Sequence, residues 1–193
     1  MQLVGTKPPA TVTSRARRRA DASYRNFRLV VGQRGTTFAG VAYAGKIATF
    51  HAEAASLDAV ESDLQKQIDA DLSVRIEAAA ENGWTKEDYL LAMFLISPIL
   101  SPVQTHVISR IAETAGEPVT LEQLRWPSMF SEDAVQRGLT RLSKMLSHAL
   151  YGAQENRPAE DGVANFVEGD ENQPWTFRPN FVAAAVAFTE AVH

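Results

Sequence analysis

Cysteine is absent from all 193 residues of this chain. Its absence excludes disulfides, thiolate nucleophiles, cysteine-ligated zinc and iron–sulfur clusters. It is compatible with a cytoplasmic setting, which is the expectation. Long apolar runs are also missing. None is longer than Tyr89 to Ile96, which gives way to Ser97-Pro98 and falls far short of the roughly 20 residues a spanning helix needs. No membrane contact is expected. The first residues lack an apolar signal-peptide core. They are Arg-rich, as transit peptides are, but the Arg residues are bunched and no amphipathic helix precedes them. No glycine-rich phosphate loop and no G-x-S-x-G elbow occur.

Charge is unevenly placed. The formal balance is −4, yet residues 1–30 hold seven Lys/Arg against one acid. Residues 31–100 hold five against ten, and residues 101–193 seven against twelve. A basic arm is thus joined to an acidic body, which points to a polyanionic partner or to docking of the arm on an acidic surface. Residues 1–26 show no hydrophobic period and read as a flexible arm. Arg15, Arg17, Arg18 and Arg19 in it are candidate phosphate or minor-groove contacts.

Three short strand signals follow: Phe27 to Val31, Thr37 to Tyr43 and Ile47 to His51. Turn residues at Gly32 to Gly35 and Ala44 to Lys46 separate them, so a small antiparallel meander is expected. From Leu57 the period becomes helical, through Val60, Leu64, Ile68, Leu72, Ile76 and Ala79. Ser56 is its candidate N-cap and Gly83 its stop. The helix should run about 26 residues, or roughly 39 Å. Thr85 caps the next helix, Lys86 to Ile96, which is apolar on nearly every side after Tyr89. That pattern predicts a central core helix or one between domains or subunits. Residues 27–100 are therefore expected to form one module, a three-stranded sheet plus helices, able to dimerise. Pro98 and Pro102 mark its end.

The C-terminal half, residues 101–193, begins with a helix from Val103 to Ala115, closed by Gly116. Glu117-Pro118-Val119 is a short extended link. Thr120-Leu121-Glu122-Gln123 is a capping box that opens a brief helix. Ser131 then caps a long helix, SEDAVQRGLTRLSKMLSHAL. At 100° per residue, Arg137, Arg141, Lys144 and His148 on it fall within about 60° of one another. Val135, Leu139, Leu142, Met145, Leu146 and Ala149 take the opposite side. Val163 to Glu168 and Trp175 to Arg178 read as two strands, and Phe181 to Val192 as a last core helix.

The residues HVISRIAETAGEPVTLEQL, followed by AVQRGLTRLSKML, resemble the winged-helix branch of the helix-turn-helix proteins. The resemblance covers about residues 103–180. It implies an α+β chain whose second half is a winged-helix-like domain binding double-stranded DNA, as a transcriptional regulator or an accessory subunit of a DNA-processing complex. It implies that the basic stripe faces the major groove. Arg137 and Arg141 would then take guanine edges or phosphates, Gln136 adenine, and Thr140 a phosphate or a thymine methyl. Lys144 and His148 would meet the backbone. Glu132 and Asp133 in the first turn, and Glu168 to Glu171 at the expected wing tip, are acidic, which moves the expected footprint to mid-helix. Asp133 also stands at ion-pair spacing from Arg137. A dimer through Tyr89 to Ile96 would suit palindromic readout. The competing expectation is an adaptor or structural subunit that uses the same features for protein contacts.

The N-terminal sheet is also similar to small three-stranded DNA-reading domains of integrase arms and plant regulators. Only Arg28, Arg34 and Lys46 are basic between Phe27 and Phe50, which favours a scaffold or dimerisation sheet. No two of His51, His106, His148 and His193 stand at metal spacing. His51-Ala52-Glu53 has the H-x-E spacing of zinc deaminases without their cysteine pair. His106, on an apolar helix, reads as a structural histidine. The acids at Glu160-Asp161 and Glu168 to Glu171 lack calcium-loop spacing. Trp84, Trp126 and Trp175 read as core anchors. No enzyme, cofactor or metal is expected.

Overall fold

The computed structural model describes residues 22–152, 166–168 and 174–192. The chain is α+β. Four strands come first: β1 (Ala22–Tyr24), β2 (Phe27–Arg34), β3 (Thr37–Ala44) and β4 (Ile47–Ala54). They form one antiparallel sheet in the order β1-β2-β3-β4. Each hairpin is closed by two residues, as the pairs Tyr24↔Phe27, Arg34↔Thr37 and Ala44↔Ile47 show. Positive φ at Arg25 and Asn26, at Gly35 and at Gly45 matches these tight turns to the right-handed twist of the strands.

The expected three-stranded sheet is therefore corrected to four strands. Ala22–Tyr24, assigned by composition to the flexible arm, is the added edge strand. Arg25 and Asn26 make its turn by adopting positive φ (47° and 67°), without the Asn-Gly or Asp-Gly pair that usually announces one. The strand expected at Phe27 to Val31 also runs on to Arg34.

One sheet face is sealed by α1 (Leu57–Asn82). Phe27, Leu29 and Val31 of β2 and Ala42 and Ala44 of β3 are buried with Val60, Leu64 and Ile68 of α1. A Cβ on Gly40 would lie 2.6 Å from Val60 Cγ1 and 3.0 Å from Leu64 Cδ1. Glycine there lets the helix sit directly on the sheet. Ser56 caps α1, accepting from Ala59 N at 3.2 Å. Full burial stops at Leu72, so the last turns of α1 project beyond the sheet, with Val74 exposed. On the β4 edge, the Ile47 carbonyl accepts from Thr49 Oγ1 and the His51 carbonyl from Gln67 Nε2.

The remaining elements are α2 (Lys86–Ile96), a 3-10 turn at Ser97–Ile99, α3 (Pro102–Glu113), α4 (Leu121–Arg125), α5 (Glu132–Tyr151), β5 (Val167–Glu168), β6 (Thr176–Phe177) and α6 (Pro179–Val192). Helix α2 packs against α5, α6 and β3. Tyr89, Ala92, Met93, Leu95 and Ile96 are buried within the chain. The segment expected to pair two subunits is thus the helix that joins the sheet to the helical half. Its apolar character goes with being covered on several sides, while Leu90, Leu91 and Phe94 are half-buried.

The larger core cluster gathers α2, α3, α5, α6 and the β5–β6 hairpin. Phe166 and Phe181 stack at 4.7 Å between ring centroids. Val119 and Trp175 exchange two backbone hydrogen bonds of 2.9 Å, so the link before α4 adds a rung beside the hairpin. Among the three tryptophans, Trp175 is buried. Trp84 donates Nε1 to the Tyr151 hydroxyl at 3.3 Å and meets that ring edge-on. Trp126 departs from expectation: it is 69% exposed on the α4–α5 turn, beside a fully exposed Met129. It does not anchor the core.

Candidate nucleic-acid interface

Helices α3, α4 and α5 are built from consecutive capping signals. Ser101 and Thr120 each form a reciprocal box, with Gln104 and Gln123 respectively. Ser131 accepts from Ala134 N at 3.2 Å to open α5. Caps of this kind satisfy backbone donors that a helix start leaves unpaired. His106 ties α3 to α4, with Nε2 3.0 Å from the Leu124 carbonyl and its ring edge-on to Phe130. It has the structural role expected of it. Gln104, buried between α3 and α5, donates Nε2 to Met145 Sδ at 3.2 Å.

The twenty residues of α5 divide cleanly. Val135, Leu139, Leu142, Leu146 and Leu150 are buried together with Gly138, Ser143 and Ser147. Gln136, Arg137, Arg141, Lys144 and His148 are exposed. A Cβ on Gly138 would come 2.8 Å from Val103 Cγ1 of α3. That close approach fixes the rotation of α5 about its axis, and so fixes which side faces water. The basic stripe is thus on one solvent face, running from Arg137 to His148.

Its members differ in their surroundings. Neither Arg137 nor Arg141 forms an ion pair with a described residue, so the Asp133–Arg137 spacing is not closed into a bridge. Thr140 is half-buried, and its hydroxyl donates to the Gln136 carbonyl at 3.1 Å. That leaves its oxygen lone pairs, and not its proton, for an outside partner. The His148 carbonyl accepts from Gly152 N at 3.0 Å, and His148 sits in the last turn of α5. A cation is favoured there by the helix dipole. Glu132 and Asp133 are exposed in the first turn. Arg15, Arg17, Arg18 and Arg19 lie outside the described residues, as do Glu160, Asp161 and the expected wing tip at 169–171.

Arg25 belongs to the fold instead of to an arm. Its Nε is 2.6 Å from Asp69 Oδ1, and its guanidinium lies 5.6 Å from the Tyr24 ring centre. The Tyr24 hydroxyl reaches the same carboxylate at 2.8 Å. The neighbouring Tyr24 hydroxyl and the Asp69 charge raise the Arg25 pKa above its ordinary value against a smaller opposing effect of burial. Arg28, on the open sheet face, stacks over Tyr43 at 4.9 Å. Sequence reading missed the role of Arg25, because its partner is 44 positions away on α1.

Among the described residues no group of three or more His, Asp or Glu side chains could hold a metal. No helix among them is long and apolar enough to cross a membrane. No protein-family model matches the chain, no curated protein matches it, and no solved structure matches it.

Proposed function

We propose that this chain is a DNA-binding protein of winged-helix type, acting as a transcriptional regulator or as an accessory subunit of a DNA-processing complex. The observation that carries the reading is the division of α5. One side is locked into the core through Gly138 and its leucines, while Arg137, Arg141, Lys144 and His148 share the exposed side. The order around it supports the same reading: helix, bridged link, short helix, long helix, hairpin. Arg137 and Arg141, with no ion pair to a described residue, keep their guanidinium donors for phosphate oxygens or guanine edges. Gln136 lies beside them for a base edge, and Lys144 and His148 follow along the backbone. The acidic body opposes approach except along this stripe and the arm, which orients the encounter.

Titration of duplex DNA against the full chain at several salt concentrations tests the reading. Two lost phosphate contacts should reduce the slope of log K against log salt by about two. Arg137→Ala with Arg141→Ala should also weaken binding by at least about tenfold. Unchanged affinity and slope in that double variant sink the assignment of α5. A second reading, an adaptor that docks on protein, is favoured by one observation: Trp126 and Met129 stand exposed beside acidic Glu132 and Asp133. Trp and Met are enriched at protein interfaces. Absence of any duplex binding at low salt would select it.

A further inference from the structure

Where the sheet module meets the end of α5, the fold leaves a cavity of about 210 Å³. Its floor includes Phe27, Leu72 and Ala149, and Arg25, Arg75 and His148 also line it. Among the described residues, no carboxylate lines it. The acids that accompany the two arginines stand behind them: Asp69 on Arg25, and Asp71 and Asp88 on Arg75. Each guanidinium carries five N–H donors in a planar fork. One or two carboxylate contacts leave donors over for a further acceptor. Both side chains are about three-quarters buried, at 28% and 22% exposure. A charge-assisted hydrogen bond there is therefore less screened than one in open water.

We propose that this cavity is a binding site for a small carboxylate with an apolar, ring-sized body. The size fits: apolar cavities of about 150 Å³ hold benzene, and the extra volume accommodates a carboxylate at the Arg25–Arg75 side. The chemistry fits as well. An apolar floor favours the ring, and the remaining guanidinium donors of Arg25 and Arg75 favour an anion over a neutral amide. The wall is also closely built. A Cβ on Gly152 would lie 2.5 Å from Arg25 Nη1 and 2.8 Å from Leu72 Cδ2. A ligand in the cavity therefore presses directly on the C-terminal turn of α5. The proposal concerns a ligand site and does not depend on DNA binding.

The test is an amide-resolved NMR titration of the isotope-labelled full chain with benzoate as the probe. Saturable shifts should appear at Leu72, Ala149 and Gly152. Benzamide, the same shape without the charge, should bind about ten- to a hundredfold more weakly, the range expected for a lost charged hydrogen bond. Acetate, which lacks the ring, should bind at least about tenfold more weakly, since the apolar floor then goes unfilled. Ala149→Leu fills the cavity without removing a charge and should lower benzoate affinity by at least about tenfold. Arg75→Gln should do the same. The benzoate–benzamide comparison uses the unaltered chain, so it decides the matter even if a variant fails to fold. Absence of saturable shifts at those residues, equal binding of benzamide, or unchanged binding in folded Ala149→Leu would overturn the proposal.

Discussion

Replacing Gly138 by alanine puts a methyl group where the structure has none to spare. The new Cβ would stand 2.8 Å from Val103 Cγ1 and 3.8 Å from Val103 Cβ. Carbon atoms prefer separations of about 3.5 to 4.0 Å, so one contact is too close by about 0.7 Å or more. Two effects then oppose each other. Alanine in a helix interior is favoured over glycine by about 1 kcal/mol. Overpacking a fitted contact costs about 1 to 3 kcal/mol. Val103 is β-branched and sits on a helix, where one χ1 rotamer dominates. It cannot swing aside as a long side chain would, so the steric effect should win. The expected result is a net loss of about 1 kcal/mol, or a melting temperature lower by about 2 to 4 °C in a chain of this size.

A double-mutant cycle read by chemical denaturation separates these effects. Val103→Ala removes the offending methyls and should make Gly138→Ala neutral or favourable by itself. The coupling between the two changes should therefore be about 1 kcal/mol or more. If Gly138→Ala alone raises stability by the full helix-propensity gain, α3 and α5 are not in close contact. That contact would then not set the orientation of the basic stripe.

Two further outcomes follow from the same structure. Arg25→Ala should lower stability by about 1 kcal/mol, at the upper end for a partly exposed ion pair. It should leave the salt slope of duplex binding unchanged; a lower slope would place Arg25 among the nucleic-acid contacts. Burial pushes the Tyr89 hydroxyl up to about 12 from an ordinary value of 10.0. Folding thus favours its neutral form, and that stability is complete below pH 10 and lost as the pH rises through about 12. The loss should total about 2 to 3 kcal/mol, and Tyr89→Phe should remove it from a denaturation series across that range. A Tyr89→Phe curve parallel to that of the unaltered chain would refute the assignment.

Features set by neighbouring residues were legible in the sequence. Ser56, Thr85, Thr120 and Ser131 all cap helices, because a cap needs only a short polar side chain and the two or three residues after it. The 26-residue span of α1 and the two faces of α5 followed from apolar spacing. Features that depend on distant partners were not legible. Strand β1 is three residues long, and its turn lacks the usual glycine. Tyr24 and Arg25, on either side of the start of that turn, are both tied to Asp69 of α1. Nothing local marks Ala22–Tyr24 as a strand. Trp126 is another case: its neighbours Leu124 and Phe130 do pack inward, and only the path of the turn leaves the indole outside. The cavity lined by Arg25, Arg75 and His148 draws its walls from β2, α1, α2 and α5, and no spacing rule links those positions.

The acidic first turn of α5 has a local explanation that bears on where a polyanion would touch. Glu132 and Asp133 follow the Ser131 cap, where unpaired N–H groups and the positive end of the helix dipole favour anions. Those acids stabilise the start of the helix whatever the helix binds. The same carboxylates repel a phosphate backbone, so the helix cannot enter a groove tip-first at low cost. On the proposed DNA-binding reading, contact would begin a full turn further on, at Arg137, and run toward His148. Arg137 and His148 stand eleven steps apart along the helix, a rise of about 16 Å. That length covers phosphates on both sides of a groove about 12 Å wide. On that reading two local demands share one helix, an anionic start for its own stability and a cationic middle for a partner. Moving the acids would test how far the first constrains the second. Glu132→Gln with Asp133→Asn keeps the Ser131 cap, and it should raise duplex affinity while lowering stability by about 0.6 to 2 kcal/mol. Unchanged affinity would place the start of α5 away from DNA altogether.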